Sequence, residues 1–259
     1  MGEALSTVLE DKVLWITIDR PHVRNALDSA LFAELTSLVL GCRGDAGIRC
    51  VVIRGAGDRV FVSGADISEF RGKLATPDGA LAYDAEAERL NAAVGTIPQP
   101  VIAMLNGHAI GSGCLLAVAC DFRIASSSAR LGIPVAKFGF CIGPPDLVRL
   151  AALVGTAWAK RLLMSGAIID AQEALRLGLV EQVAAPDDLV SEAAALARTL
   201  AENAPLSLKA TKEMAHRFLA PIPTVEDGAA WYHEAYGSRD LMEGIEALLS
   251  KRKPIFLGS

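Results

Sequence analysis

The run Asn106-Gly107-His108-Ala109-Ile110-Gly111-Ser112-Gly113-Cys114 follows an apolar stretch, Pro100 to Leu105, and leads into small and apolar residues ending near Asp121. A buried strand that empties through glycines into a helix start leaves backbone N–H groups without partners inside the helix. The aligned peptide dipoles add partial positive charge at the same point. Such a turn suits an α/β chain and holds negative charge, either a bound anion or an oxyanion formed during reaction. The helix then continues with Leu115 and Leu116 rather than with an acid or a base.

The rest of the chain fits that turn. Val13 to Asp19 reads as a strand ended by Pro21, and an amphipathic helix over about 29–43 places Leu31, Leu35, Leu38 and Val39 on one face. Cys50 to Arg54 is a buried strand before the turn Gly55-Ala56-Gly57-Asp58. Phe61 to Asp66 is a second strand running into a glycine turn, with a helix start near Ile67. A loop over 71–80 precedes a helix at about 80–95, and Phe122–Ala125 and Arg130–Gly132 are short strands. From about 146 the pattern turns helical: 146–154, 156–165, 171–177, 187–202, 205–219 and 238–250. Alternating strands and helices followed by helices alone predict an α/β core over 1–195 and a helical region over 196–259.

Composition excludes several classes. Hydrophobic residues are 52% and charged residues 21% of 259, a globular balance, and the net charge of −5 offers no basic field to nucleic acid. The C-terminal Lys251-Arg252-Lys253 is either a solvated tail or a phosphate clamp. Cysteines 42, 50, 114, 120 and 141 form no CxxC pair and no Cys/His ligand spacing, which points to a reducing compartment and away from zinc. The N-terminus lacks a basic region followed by an apolar stretch, and no apolar run approaches the ~18 residues of a membrane span. A soluble cytoplasmic protein is expected, without nucleic-acid or membrane partners.

Six pieces, in order, carry a family resemblance: Arg20-Pro21…Asn25-Ala26-Leu27; Phe61 to Ile67; Pro100 to Cys114; Cys120-Asp121-Phe122-Arg123-Ile124-Ala125; Ala171…Glu173-Ala174…Gly178-Leu179-Val180; and Ser238-Arg239-Asp240…Glu243-Gly244 with Lys251-Arg252. Together they resemble the enoyl-CoA hydratase/isomerase (crotonase) family over essentially the whole chain. The resemblance implies a spiral core of ββα turns, a C-terminal helical region used for trimerisation, and a homotrimer or dimer of trimers. It implies an acyl-CoA thioester as substrate and no cofactor beyond that coenzyme A. It also implies an oxyanion hole for the thioester oxygen, carried here by the backbone N–H groups of Ala65 and Ser112. The Ser112 hydroxyl is either a third donor or a cap of its own helix. The adenine is implied near Ala65, Asp66 and Ile67, and the pantetheine and phosphates near Arg24, Ala26 and Leu27. Arg24 suits bidentate phosphate binding, and Lys251 is a second candidate for the nucleotide. Gly111, Leu115 and Val135 complete the implied substrate-binding set.

The pattern also departs from the family. Hydratases carry one glutamate three residues after the second oxyanion position and another after a later proline, a pair that holds and activates water. Here those positions are Leu115 and, after Pro134, Val135. Losing a general acid or base typically costs roughly 10²–10⁴-fold in rate, so standard hydration is not expected. Asp146 is the nearest carboxylate in sequence to the acyl pocket, either a cap of the helix at 146–154 or a relocated acid/base. His108, Lys137 and the His233, Tyr232, Tyr236 group read as structural or solvated ahead of catalytic. Two functions remain open: an enzyme working through enolate stabilisation, with decarboxylation the best fit in principle, or an acyl-CoA binding protein without chemistry.

Overall fold

A strand–strand–helix unit repeats along the chain. The computed structural model describes residues 4–219 and 223–257, apart from the side chains of Phe218, Leu219 and Trp231; residues 1–3 of the N-terminal reading lie outside it. The strands are β1 (Leu5–Glu10), β2 (Val13–Ile18), β3 (Cys50–Gly55), β4 (Val60–Val62), β5 (Val101–Leu105), β6 (His108–Ile110), β7 (Phe122–Ser126), β8 (Arg130–Gly132), β9 (Ile168–Asp170) and β10 (Gln182–Ala184). The helices are α1 (Ser29–Gly41), α2 (Phe70–Lys73), α3 (Pro77–Thr96), α4 (Ser112–Ala119), α5 (Pro144–Ser165), α6 (Ala171–Leu177), α7 (Leu189–Glu202), α8 (Pro205–Met214), α9 (Ala229–Tyr236) and α10 (Arg239–Leu249).

The strands sort into two sheets. One has the order β1-β2-β3-β5-β7-β10 and is parallel except for the β1/β2 hairpin; the other has the order β4-β6-β8-β9. Strands β3, β5 and β7 thus enter the large sheet while their successors β4, β6 and β8 enter the small one, so each repeat advances one step in both sheets. This is the ββα spiral that the family resemblance implies.

Both faces of the large sheet are covered, as a parallel sheet requires. Val51 and Ile53 of β3 lie in the same core as Leu31, Leu35 and Val39 of α1, while Cys50 and Val52 lie in a second core with Leu189, Ala193 and Ala197 of α7. The period-2 alternation of one apolar run therefore serves two cores. Helix α7 crosses residue 195 unbroken while packed on this sheet. Among the described residues, no helix is long and apolar enough to cross a membrane.

Some boundaries differ from the sequence reading. Helix α3 starts at Pro77, with Thr76 accepting from the Gly79 N–H at 3.1 Å, so the expected loop over 71–80 is mostly helical. Helix α5 starts at Pro144 rather than 146, because prolines in the first turn sacrifice only N–H groups that are orphaned anyway. Its two expected halves meet at Gly155, whose φ of 73° interrupts the helix. Helix α9, which the pattern did not suggest, packs on α3, and α10 packs against the short turn Val135–Phe138. The C-terminal helices thus fold back over the core, above the glycine turns.

Candidate active site

Two glycine turns meet at the base of a cleft of about 380 Å³. Gly64 ends the β4 turn with φ 123°, and Gly111 precedes α4 with φ 54°. A Cβ on Gly111 would lie 3.7 Å from the Gly64 Cα, so the turns are in direct contact. Left-handed φ at both positions is what glycine alone adopts without strain. Each turn delivers the next residue, Ala65 and Ser112, to the cleft wall. Among the described residues, neither N–H donates to an acceptor within the chain.

Polar side chains hold these turns in register. Asn106 accepts from the Gly55 N–H at 2.9 Å and donates to the Gly57 carbonyl at 2.8 Å, tying the β5–β6 turn to the β3–β4 turn. Leu27 brackets the Ala65 turn through its backbone, donating to the Gly64 carbonyl at 2.9 Å and accepting from the Asp66 N–H at 2.8 Å. Arg20 pairs with Asp28 at 2.8 Å and Asp66 at 3.5 Å, and donates to the Ala26 carbonyl at 2.7 Å. Asp66 also accepts from the Ser68 N–H at 3.1 Å, fixing the short turn that follows.

The cleft is mostly apolar, with Leu115, Val135, Phe70, Leu74, Ile142 and Leu248 on its walls. An aromatic row closes one side. Tyr232 stacks on Tyr236 (centroids 5.2 Å, planes 9° apart), Tyr236 lies over Phe140, and Phe140 meets Phe70 edge-on at 5.2 Å. Tyr83, also on the wall, has a buried hydroxyl without a hydrogen-bond partner among the described residues.

Among the described residues, one carboxylate reaches this space. Asp84 of α3 lines the cleft and accepts a hydrogen bond from the Tyr232 hydroxyl of α9. Burial pushes its carboxyl up to about 6 against the stabilising Tyr232 bond, with Glu88 adding to the rise. Behind it, Arg149 of α5 grips Glu88 with two bonds of 2.6 Å and reaches Asp146 at 3.4 Å, while Asn91 donates to Asp146 at 3.1 Å. Burial, with Asp84 nearby, pushes the Asp146 carboxyl up to about 7.

Residues 9–259 match the family model described as enoyl-CoA hydratase/isomerase. The chain belongs to the enoyl-CoA hydratase/isomerase family. It is similar to the short-chain-enoyl-CoA hydratase of Clostridium acetobutylicum, at 36% identity over 94% of each chain. Among solved structures it is similar to an enoyl-CoA hydratase/carnithine racemase from Magnetospirillum magneticum (33% identity, TM-score 0.82, 100% of this chain and 97% of that one). It is also similar to a methylmalonyl-CoA decarboxylase in complex with 2-nitronate-propionyl-CoA (25% identity, TM-score 0.91, 100% of both chains). The relatives make it an enzyme of the lyase or isomerase class.

Within this enoyl-CoA hydratase/isomerase family member, the positions read from sequence divide into three groups. Ala65, Ile67, Gly111, Ser112, Leu115 and Val135 come together around the cleft. Arg24 and Lys251 are exposed outside its walls. The Ala26 and Leu27 side chains are buried, and the Leu27 backbone braces the Ala65 turn. Two readings need correction. Ser112 does not cap α4, since it is the first helical residue and Gly111 holds the cap position. Asp146 is neither a cap nor part of the cleft wall: α5 begins two residues earlier, and the side chain is buried against Asn91 and Arg149. His233 pairs with Asp78 at 3.3 Å on the surface, away from the cleft walls.

Asp84 is a cleft residue that the sequence reading missed. Its signal is a polar stripe: Asp84, Glu88 and Asn91 fall at i, i+4 and i+7, one face of α3. All three turn inward to α5 and α9.

Proposed function

We propose that the cleft binds an acyl-CoA thioester and stabilises its enolate through the N–H groups of Ala65 and Ser112. The observation carrying this reading is the pair of N–H groups without acceptors among the described residues, set by two touching glycine turns at the base of an apolar cleft. Preorganised donors aimed at developing charge in a water-poor site are worth roughly 3–4 kcal/mol each in acyl chemistry. The acyl chain runs along Leu115 and Val135. The nucleotide lies toward Asp66 and Ile67, with Arg24 and Lys251 as its phosphate contacts. No further cofactor is needed.

Hydration by paired glutamates is not available to this chain, because leucine and valine move no proton. Decarboxylation is favoured as a second, narrower reading by the similarity to a methylmalonyl-CoA decarboxylase. In that reaction the C–CO₂⁻ bond breaks, its electron pair enters the thioester as an enolate, and CO₂ leaves. Walls without a cationic side chain among the described residues favour loss of a carboxylate as a neutral gas. The cleft carboxylate, Asp84, speaks for chemistry over binding alone.

A homotrimer or dimer of trimers suits the apolar side chains left on the surface, among them Met164 at 76% and Leu206 at 78% exposure. Five unpaired cysteines suit the cytoplasm.

Calorimetric titration with butyryl-CoA and with free coenzyme A, beside a crotonyl-CoA hydration assay, tests the reading. Tighter binding of the acyl thioester with hydration at or near background is expected. Rapid hydration of crotonyl-CoA would overturn it.

A further inference from the structure

We infer that Asp84 carries the proton to and from the enolate carbon, with Tyr232 as its positioning residue. The inference rests on the enolate reading above and supplies the acid/base that Leu115 and Val135 cannot. Among the described residues, Asp84 is the single carboxylate on the cleft wall, and no histidine, lysine, arginine or glutamate accompanies it there.

The surroundings are built around that carboxylate. Tyr232 donates to its Oδ2, and the Tyr232 ring is fixed in turn by stacking on Tyr236. The backbone opposite is Gly143, where a Cβ would stand 2.6 Å from the same Oδ2. Any larger residue there would displace the carboxylate, so the room it occupies depends on glycine. A reserve of charge lies behind it. Glu88 and Asp146 share one guanidinium, Arg149, and Asp84 lies close enough to Asp146 to oppose its ionisation in a buried region. The groups facing Asp84 are Glu88 on its own helix, Tyr232 and Tyr236 on α9, Asp146 on α5, and Cys141 in the turn before α5. The raised carboxyls of Asp84 and Asp146 agree with a proton held among them.

The step balances without another reactant. The Asp84 O–H bond breaks, and its proton bonds to C2 with the enolate electron pair. The thioester carbonyl re-forms, and Asp84 is left as a carboxylate held by Tyr232. Run in reverse, the carboxylate removes a C2 proton. The same step completes a decarboxylation, or opens a shift of a 3-enoyl thioester to its 2-enoyl isomer.

Butyryl-CoA in deuterium oxide reads this step directly, by mass spectrometry of deuterium at C2. Wild-type protein is expected to exchange C2 hydrogen. Asp84→Asn is expected to lose about 100-fold or more of the exchange rate while keeping butyryl-CoA affinity within about threefold by calorimetry. Tyr232→Phe removes a donor to the ionised form, so the pH midpoint of exchange should move upward. Exchange by Asp84→Asn at the wild-type rate, or binding without exchange in the wild type, overturns the role of Asp84. Absence of butyryl-CoA binding by the wild type overturns the enolate reading itself. Should Asp84→Asn lose affinity as well, the Tyr232→Phe profile decides, and an unmoved midpoint counts against the proposal.

Discussion

Asp146 is nearly inaccessible, at 4% exposure, yet it sits among two other carboxylates with one arginine within reach. Its carboxyl is raised to about 7, mainly by burial, against an unfolded value of about 3.9. The folded chain therefore holds a proton that the unfolded chain releases, and stability falls as pH rises from about 4 through about 7. Asp146→Asn keeps an acceptor for Asn91 and removes the titration. Urea unfolding at pH 4.5 and 7.5 should show a smaller loss of stability in the variant, the difference on the order of a few kcal/mol. Equal losses in both proteins would contradict the buried, proton-holding state. At this scale the sequence revealed whatever was local. Gly64-Ala65 and Gly111-Ser112 could be read because a glycine turn and the donor after it are neighbours in the chain. Asp84 could not, because its partner Tyr232 lies 148 positions away and Gly143 opposite it lies on another element.

At the scale of elements, α3 is the link between fold and site. Its outer turns are polar and ordinary, while its inner face carries Asp84, Glu88 and Asn91 toward α5 and α9. The Arg149–Glu88 pair clamps α5 to α3, with side-chain exposures of 8% and 18%. Breaking a buried pair strands the remaining charge, which costs about 3–5 kcal/mol. Arg149→Met is expected to lose stability of that order in urea unfolding, whereas an unchanged midpoint would show that the clamp contributes nothing. Helices such as α1 and α6 were legible because their apolar residues recur at helical spacing or their caps are explicit, as with Asp170 before α6. Strands β6, β9 and β10 have three residues each, too few for a period to show, and they exist because neighbouring strands pair with them. Helix α9 mixes alanine, aromatics and charge, and its packing on α3 defines it better than its own pattern.

Over the whole molecule, the ββα repeat sets two glycine turns against each other, and the C-terminal helices return to roof the space above them. The fold class was readable from the alternation of strands and helices, while the return of α9 and α10 onto the cleft depends on contacts across most of the chain. The proposed function makes one demand of a bound thioester: its carbonyl oxygen must meet the N–H groups of Ala65 and Ser112. Two donors there polarise the carbonyl, weakening the C=O bond before any proton moves. Difference infrared spectroscopy of carbonyl-labelled butyryl-CoA on the full-length protein measures this effect. The stretch is expected at lower frequency than for the same thioester in water. It should return toward the free value in Gly111→Ala, where a side chain is forced into φ 54°, ψ −123°, a combination that favours glycine. A bound thioester whose carbonyl frequency is unshifted in the wild-type protein would contradict the oxyanion hole and the enolate chemistry built on it.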